Sequence, residues 1–266
     1  MTESAFTSHD LISAVQWYLE IGWDEAVFDV PQNRLLERMV LFEPAVPVVM
    51  APSTQVMGPE AVPLGAAEAQ GLIAPLLDSV SSLDDLKQAI AAFDGLAIKK
   101  TAANLVFGNG YPQARLMIVG EIPEEEDDRS GQAFAGEAGQ LLDKMMAAIG
   151  LSRAEAERAK AVYMTYALNW RTPGNRTPNA SEIELSAPFL KKHIELVKPD
   201  FLLLMGSVPA KALLGRSESM TRLRGQWFEY QGIPALVSFP PSFLLKSPAK
   251  KREAWEDLQG LQKRMS

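Results

Sequence analysis

Three short segments hold most of the residues able to do chemistry. The first runs from Gly120-Glu-Ile-Pro through a string of acids to Asp128, then through Gly131-Gln-Ala-Phe134-Ala-Gly136. The second, Asn169 to Pro178, carries Arg171, Asn175 and Arg176, and the third is Ser238-Phe-Pro-Pro-Ser-Phe-Leu-Leu-Lys246. The 266 residues include no cysteine, which excludes a thiolate nucleophile, a disulfide framework and any site built on cysteine ligands. With only His9 and His193 to offer imidazole, a His-rich metal site is excluded as well. What remains is carboxylate, amide, hydroxyl and guanidinium chemistry.

Charge placement says which ligands suit that set. The net charge is −7, yet residues 1 to 80 hold 11 acidic side chains against Arg34 and Arg38 alone. From Ser186 onward there are 13 basic and 7 acidic side chains. An acidic head on a basic C-terminal half is compatible with a phosphate-binding face that the sum conceals. No apolar run is long enough for a membrane span and the N-terminus lacks a signal pattern, so a cytoplasmic protein is expected.

The elements that position the three segments follow from apolar patterning. Buried strands are expected at Leu116 to Gly120, Val162 to Leu168, Phe201 to Gly206 and Ile233 to Phe239. Helices are expected at Ser82 to Phe93, Glu137 to Gly150, Ala180 to Val197 and Ser207 to Leu214. A last helix is expected from Ser247-Pro248 to about Lys263. The alternation predicts a three-layer α/β/α sandwich around a central, mostly parallel four-stranded sheet, with the three segments at the C-terminal strand ends. Ahead of it, residues 1–42 read as an acidic helical extension, with helices near His9 to Gly22 and Pro31 to Leu41. Residues 43–80 read as a Pro- and Ala-rich linker with a short helix near Ala66 to Leu77, leaving 81–266 as the α/β domain.

The three segments, in this order and spacing, resemble the uracil-DNA glycosylase superfamily, most closely its family 4, over about Leu96 to Leu261. Members show Gly-Glu-Ala-Pro-Gly, acids, then Gly-x-Pro-Phe-Val-Gly-x-Ala-Gly-x-Leu-Leu-Asp. This chain has Gly120-Glu121-Ile122-Pro123 and Gly131 through Leu141-Leu142-Asp143. The family's Arg-Pro-Pro-Gly-Asn-Arg-x-Pro stands here as Arg171-Thr-Pro-Gly-Asn175-Arg176-Thr-Pro178.

The resemblance implies an enzyme that flips uracil out of DNA and hydrolyses its bond to the sugar. It implies Phe134 as the stacking ring and Glu121 as the carboxylate that positions water. The pocket would be completed by Ile122, Tyr166 and Pro240. Tyr166 stands where the family reads the base with an asparagine, and Pro240 where a histidine stabilises the departing uracil anion. Proline has neither a side-chain donor nor a backbone N–H. Glu124 adds a charge where the family keeps bare backbone.

DNA contacts would come from Asn175, Arg176 and the segment Ser242, Leu244, Leu245, Lys246, with Leu244 or Leu245 as a minor-groove wedge. Arg222, Arg224, Lys250, Lys251 and Arg252 are further candidates for phosphate contacts. Family 4 proteins hold a 4Fe–4S cluster with four cysteines; the matching positions are about Phe93, Leu96, Trp170 and Ser186, so no cofactor is expected.

The expected activity is therefore base-excision DNA repair with weakened catalysis, on single- or double-stranded DNA with uracil or an abasic site. The alternative is an inactive DNA-binding or protein-interaction member. A monomer with no membrane association is expected, the acidic extension being free to recruit a protein partner.

Overall fold

A computed structural model describes residues 66–266. The extension 1–42, the two helices expected in it and the linker up to residue 65 lie outside the described residues. Ala61–Ser266 forms one compact unit.

Six strands make one sheet: β1 (Asn109–Gly110), β2 (Leu116–Gly120), β3 (Val162–Tyr166), β4 (Phe201–Met205), β5 (Trp227–Tyr230) and β6 (Ile233–Ser238), in the order β1-β3-β2-β4-β6-β5. The four inner strands are parallel and the two edges antiparallel, so the expected four-stranded core is present with an added short strand on each side.

Strands β2, β3 and β4 are buried at every position, as apolar runs covered on both faces must be. Side chains alternate between two cores. Met117, Val119, Leu202, Leu204 and Val237 enter one; Leu116, Ile118, Leu203, Met205 and Leu236 enter the other.

The first core is covered by α1 (Ala66–Asp78), α2 (Leu83–Ala92), α5 (Ala180–Val197) and α6 (Ser207–Leu214). The second is covered by α4 (Glu137–Ala148) and α9 (Lys251–Met265). Three further short helices are α3 (Glu125–Ser130), α7 (Met220–Leu223) and α8 (Pro241–Lys246).

Capping decides where two of these helices begin. Ser82 accepts from the Asp85 N–H while the Asp85 carboxylate takes the Ser82 N–H, and Asn179 and Glu182 do the same for α5. Ser247, expected as the cap of the last helix, makes no such bond; a 3₁₀ turn, Pro248–Lys250, intervenes before α9. The boundary expected at residue 80 falls inside the compact unit, because α1 and α2 both pack on α5. Leu86 and Ile90 of α2 are buried in the first core, each contributing about 1.5–3 kcal/mol.

His193 of α5 lies in that core, stacked on Phe107 at 4.5 Å with a nitrogen 2.9 Å from the Tyr163 hydroxyl. Burial lowers its pKa to about 3, from an ordinary value near 6.5. The unfolded chain therefore takes up a proton below pH 6.5 that the folded chain refuses until about pH 3. Stability must fall as pH drops through that window, by about 1.4 kcal/mol per pH unit from this group. Urea unfolding at pH 7.0, 5.5 and 4.5 should show that slope in the wild type and a flatter one in His193→Gln; equal slopes would remove His193 as its source.

Candidate functional site

The parallel strands end level, with Gly120 beside Tyr166 and Met205 beside Ser238, so the three segments meet on one edge of the sheet. Glu121, Ile122, Phe134, Tyr166 and Pro240 all line a single cleft, together with Glu124 and Ser242. The cleft holds about 60 Å³, far less than the roughly 300–1,000 Å³ of ligand pockets.

Tyr166 forms one wall of it. Its ring stacks on Phe134 with centroids 4.5 Å apart and planes inclined by 25°. The hydroxyl donates to Oδ2 of Asp127 at 2.6 Å and accepts from the Phe134 N–H at 3.3 Å. Burial, then the Asp127 charge, push the tyrosine pKa well above its ordinary 10. Gly120 makes the stack possible, since a Cβ there would lie 2.7 Å from the Tyr166 ring and 2.8 Å from Phe134. Phe134 itself sits at φ 55°, a left-handed conformation an aromatic residue adopts only when its surroundings hold it there.

Asp127 is the residue that sequence reasoning missed. It was legible only as one acid in a solvated run, yet its side chain is buried. Oδ2 also accepts from the Glu124 N–H at 2.9 Å and Oδ1 from the Ala135 N–H at 2.7 Å. One carboxylate thus ties the start of α3, the Phe134 loop and Tyr166 together. Asp128, buried beside it, accepts from the Ala103 and Asn104 N–H groups.

Glu121 reaches toward α6. Its Oε1 accepts from the Ser207 N–H at 2.8 Å, the Ser207 hydroxyl at 3.0 Å and the Val208 N–H at 3.2 Å, satisfying donors at the helix N-terminus. Gly206 permits the approach, because a Cβ there would meet the Glu121 side chain at 2.3 Å. Pro240 precedes α8 and accepts from the Leu244 N–H through its carbonyl.

A second, open groove of about 430 Å³ adjoins the cleft and brings together Asn175, Ser242, Leu245 and Lys246. Its other walls carry Glu124, Glu125, Glu126 and Glu137, which repel a phosphate chain. Two expected contacts are placed differently. Leu244 is fully buried against Phe239 and Ala254, because Ser242 to Lys246 is part of helix α8, not an extended wedge; Leu245 on the same helix is 38% exposed. Arg176 forms a two-pronged ion pair with Glu182, at 2.6 and 2.9 Å, that braces the start of α5. Asn175 accepts from Arg171 at 2.7 Å.

Among the other basic candidates, Arg224 binds the buried Asp257, Lys250 pairs with Glu253 and Arg252 lies near Glu256.

A family model for the uracil DNA glycosylase superfamily matches residues 107–259, spanning all three segments. The chain belongs to that superfamily. Within it the similarity is to type-4 members. The type-4 uracil-DNA glycosylase of Pyrobaculum aerophilum is 32% identical over 186 residues, 66% of this chain and 91% of that protein. The type-4 enzyme of Thermotoga maritima is 32% identical over 160 residues, 59% of this chain and 80% of the relative. That of Archaeoglobus fulgidus is 29% identical over 188 residues, 68% and 92% respectively.

Similarity to type-4 members implies a 4Fe–4S cluster, and the residues at the matching positions do not fit one. Phe93, Leu96 and Trp170 are buried in the first apolar core, Phe93 lying 5.2 Å from the Phe189 ring. Ser186 is buried with them on α5. No member of the set carries sulfur, and the buried Trp170 Nε1 and Ser186 Oγ have no hydrogen-bond partner among the described residues. Polar groups buried without a partner are uncommon in folded proteins, and these two stand in otherwise apolar surroundings.

Proposed function

We propose that this chain is a uracil-DNA glycosylase-like protein of base-excision repair in which excision is strongly weakened, because its own tyrosine occupies the base slot. One observation carries the reading: the Tyr166 ring is stacked on Phe134, the ring expected to take an extruded base. The phenolic oxygen even receives the Phe134 N–H, as a carbonyl oxygen of a bound base could. A flipped uracil would have to displace a ring that is stacked, buried and bonded to Asp127.

Two further features support weakened turnover. Pro240 offers no donor to the departing base, a loss worth on the order of 100-fold or more. Oε1 of Glu121 is engaged on α6, which favours a positioning role for that side chain over free handling of water. With apolar packing at the positions of the family's cluster, we read the protein as working without it.

The second reading, a non-excising protein-interaction member, is favoured by the four glutamates around the adjoining groove. Single-turnover cleavage of uracil-containing single- and double-stranded DNA, with protein in large excess, tests the first. Abasic product should form at least about 100-fold more slowly than with an active type-4 enzyme assayed alongside. A comparable rate would reject weakened catalysis. A gel-shift series at rising salt separates the two: salt-sensitive binding supports a DNA role, and its absence at low ionic strength favours the interaction role.

A further inference from the structure

Helices α4 and α9 run on either side of an apolar groove of about 220 Å³, apart from the base slot. From α4 come Leu141, Met145 and Ala148; from α9 come Ala254, Trp255 and Leu258. On α4 the three lie at i, i+4 and i+7, about two turns, and on α9 at i, i+1 and i+4, about one turn, so each helix turns one apolar stripe toward the groove. Leu244 of α8 closes its floor. Trp255 is 39% exposed, one of only four large apolar side chains so open among the described residues, and Phe243 and Leu245 of the neighbouring α8 are two of the others.

The rim is charged with one sign. Lys144 on α4 and Lys251 on α9 line the groove from opposite sides. Among the described residues neither has a carboxylate within ion-pair distance, whereas Lys250, Lys160 and Lys192 are each paired within their own segment. An occupant that buries apolar side chains here must therefore also meet two unpaired ammonium groups.

We propose that this groove binds an amphipathic α-helix of a partner protein, with apolar anchors at i, i+3 or i+4 and i+7 and acidic residues along its margin. Two helical stripes flanking a groove present the surface into which a third helix packs, ridge into groove. The aromatic wall supplies the kind of anchor that dominates such interfaces. The lysines fix the charge of the partner, giving specificity and a salt-dependent association rate. Because Leu244 forms the floor while Pro241 and Ser242 at the other end of α8 line the base cleft, the bound helix would sit beside that cleft without entering it.

The test is a selection from a displayed random peptide library against the full-length protein, followed by titration of an enriched peptide while the indole resonance of Trp255 is observed. Enriched sequences should share the apolar spacing with flanking Asp or Glu, and should shift that resonance. Affinity should fall at least tenfold in Lys144→Glu/Lys251→Glu and return when the acids of the peptide are replaced by lysine. Trp255→Ala, a substitution at an exposed position, should abolish binding while the protein stays folded by circular dichroism. The proposal is overturned if enriched peptides share no acidic, apolar helical pattern, or if their binding ignores the lysine reversal. Concentration-dependent self-association through Trp255, or duplex DNA moving the same resonance with the same lysine dependence, would overturn it too by assigning the groove to another occupant.

Discussion

Replacing Tyr166 by asparagine and Pro240 by histidine in one protein should raise single-turnover uracil excision by about 100-fold or more over the wild type. The first change removes the ring stacked on Phe134 and exposes that face to an incoming base. The asparagine amide then offers both a donor and an acceptor to the edge of the base. The second change places an N–H donor where negative charge develops on the departing uracil. Neither substitution alone should achieve much, since an open slot without the donor and a donor beside a filled slot each leave one requirement unmet. The double variant also deprives Asp127 of the Tyr166 hydroxyl, a charged-acceptor bond worth about 1.5–3 kcal/mol, so its fold must be checked alongside its activity. A folded double variant with an unchanged product yield would mean that the slot and the donor are not what limits excision.

Asp127→Ala should be among the most destabilising single substitutions in the domain, with a loss of about 4 kcal/mol. The carboxylate accepts from two backbone N–H groups and one tyrosine hydroxyl, all at 2.6–2.9 Å, and all three donors would be left without it. Bonds to a charged acceptor are worth about 1.5–3 kcal/mol each and do not add fully when they share one group. For a domain of this size the melting temperature should drop by roughly 8–16 °C. Asp127→Asn keeps one acceptor oxygen and should lose about half as much. Thermal and urea unfolding of both variants check this, and a loss under about 1 kcal/mol in Asp127→Ala would show that the loop is held by other contacts.

The inner sheet and its helices were legible because burial on both faces leaves apolar runs that few other structures explain. Ala180–Val197 and Ser207–Leu214 fall where the apolar spacing and flanking residues put them. Edge strands β1 and β5 were not, since two half-buried residues in one and four of mixed burial in the other carry no sustained pattern. Helix α3 was hidden in a run of acids that reads as a solvated loop, although acids in a first turn suit a helix N-terminus.

That the expected pocket side chains meet at one cleft could be anticipated, because parallel strands deliver their C-terminal ends to one edge. What Tyr166 does there could not. Its ring direction depends on bare backbone at Gly120, on a left-handed Phe134 and on a buried Asp127, three conditions set by tertiary contact. Arg176 and Leu244 show the opposite failure. Their motif positions match the family, yet an ion pair to Glu182 and the turn of a short helix give them structural work.

The occupied slot can be tested without any chemistry, by titrating free uracil into the wild-type protein and into Tyr166→Gly and following binding by calorimetry. If Tyr166 fills the base slot, the wild type should show no saturable binding at millimolar uracil. Tyr166→Gly should bind it, and should lose that binding when Phe134→Ala is added. Saturable, Phe134-dependent binding of uracil by the wild type would contradict the account at its centre.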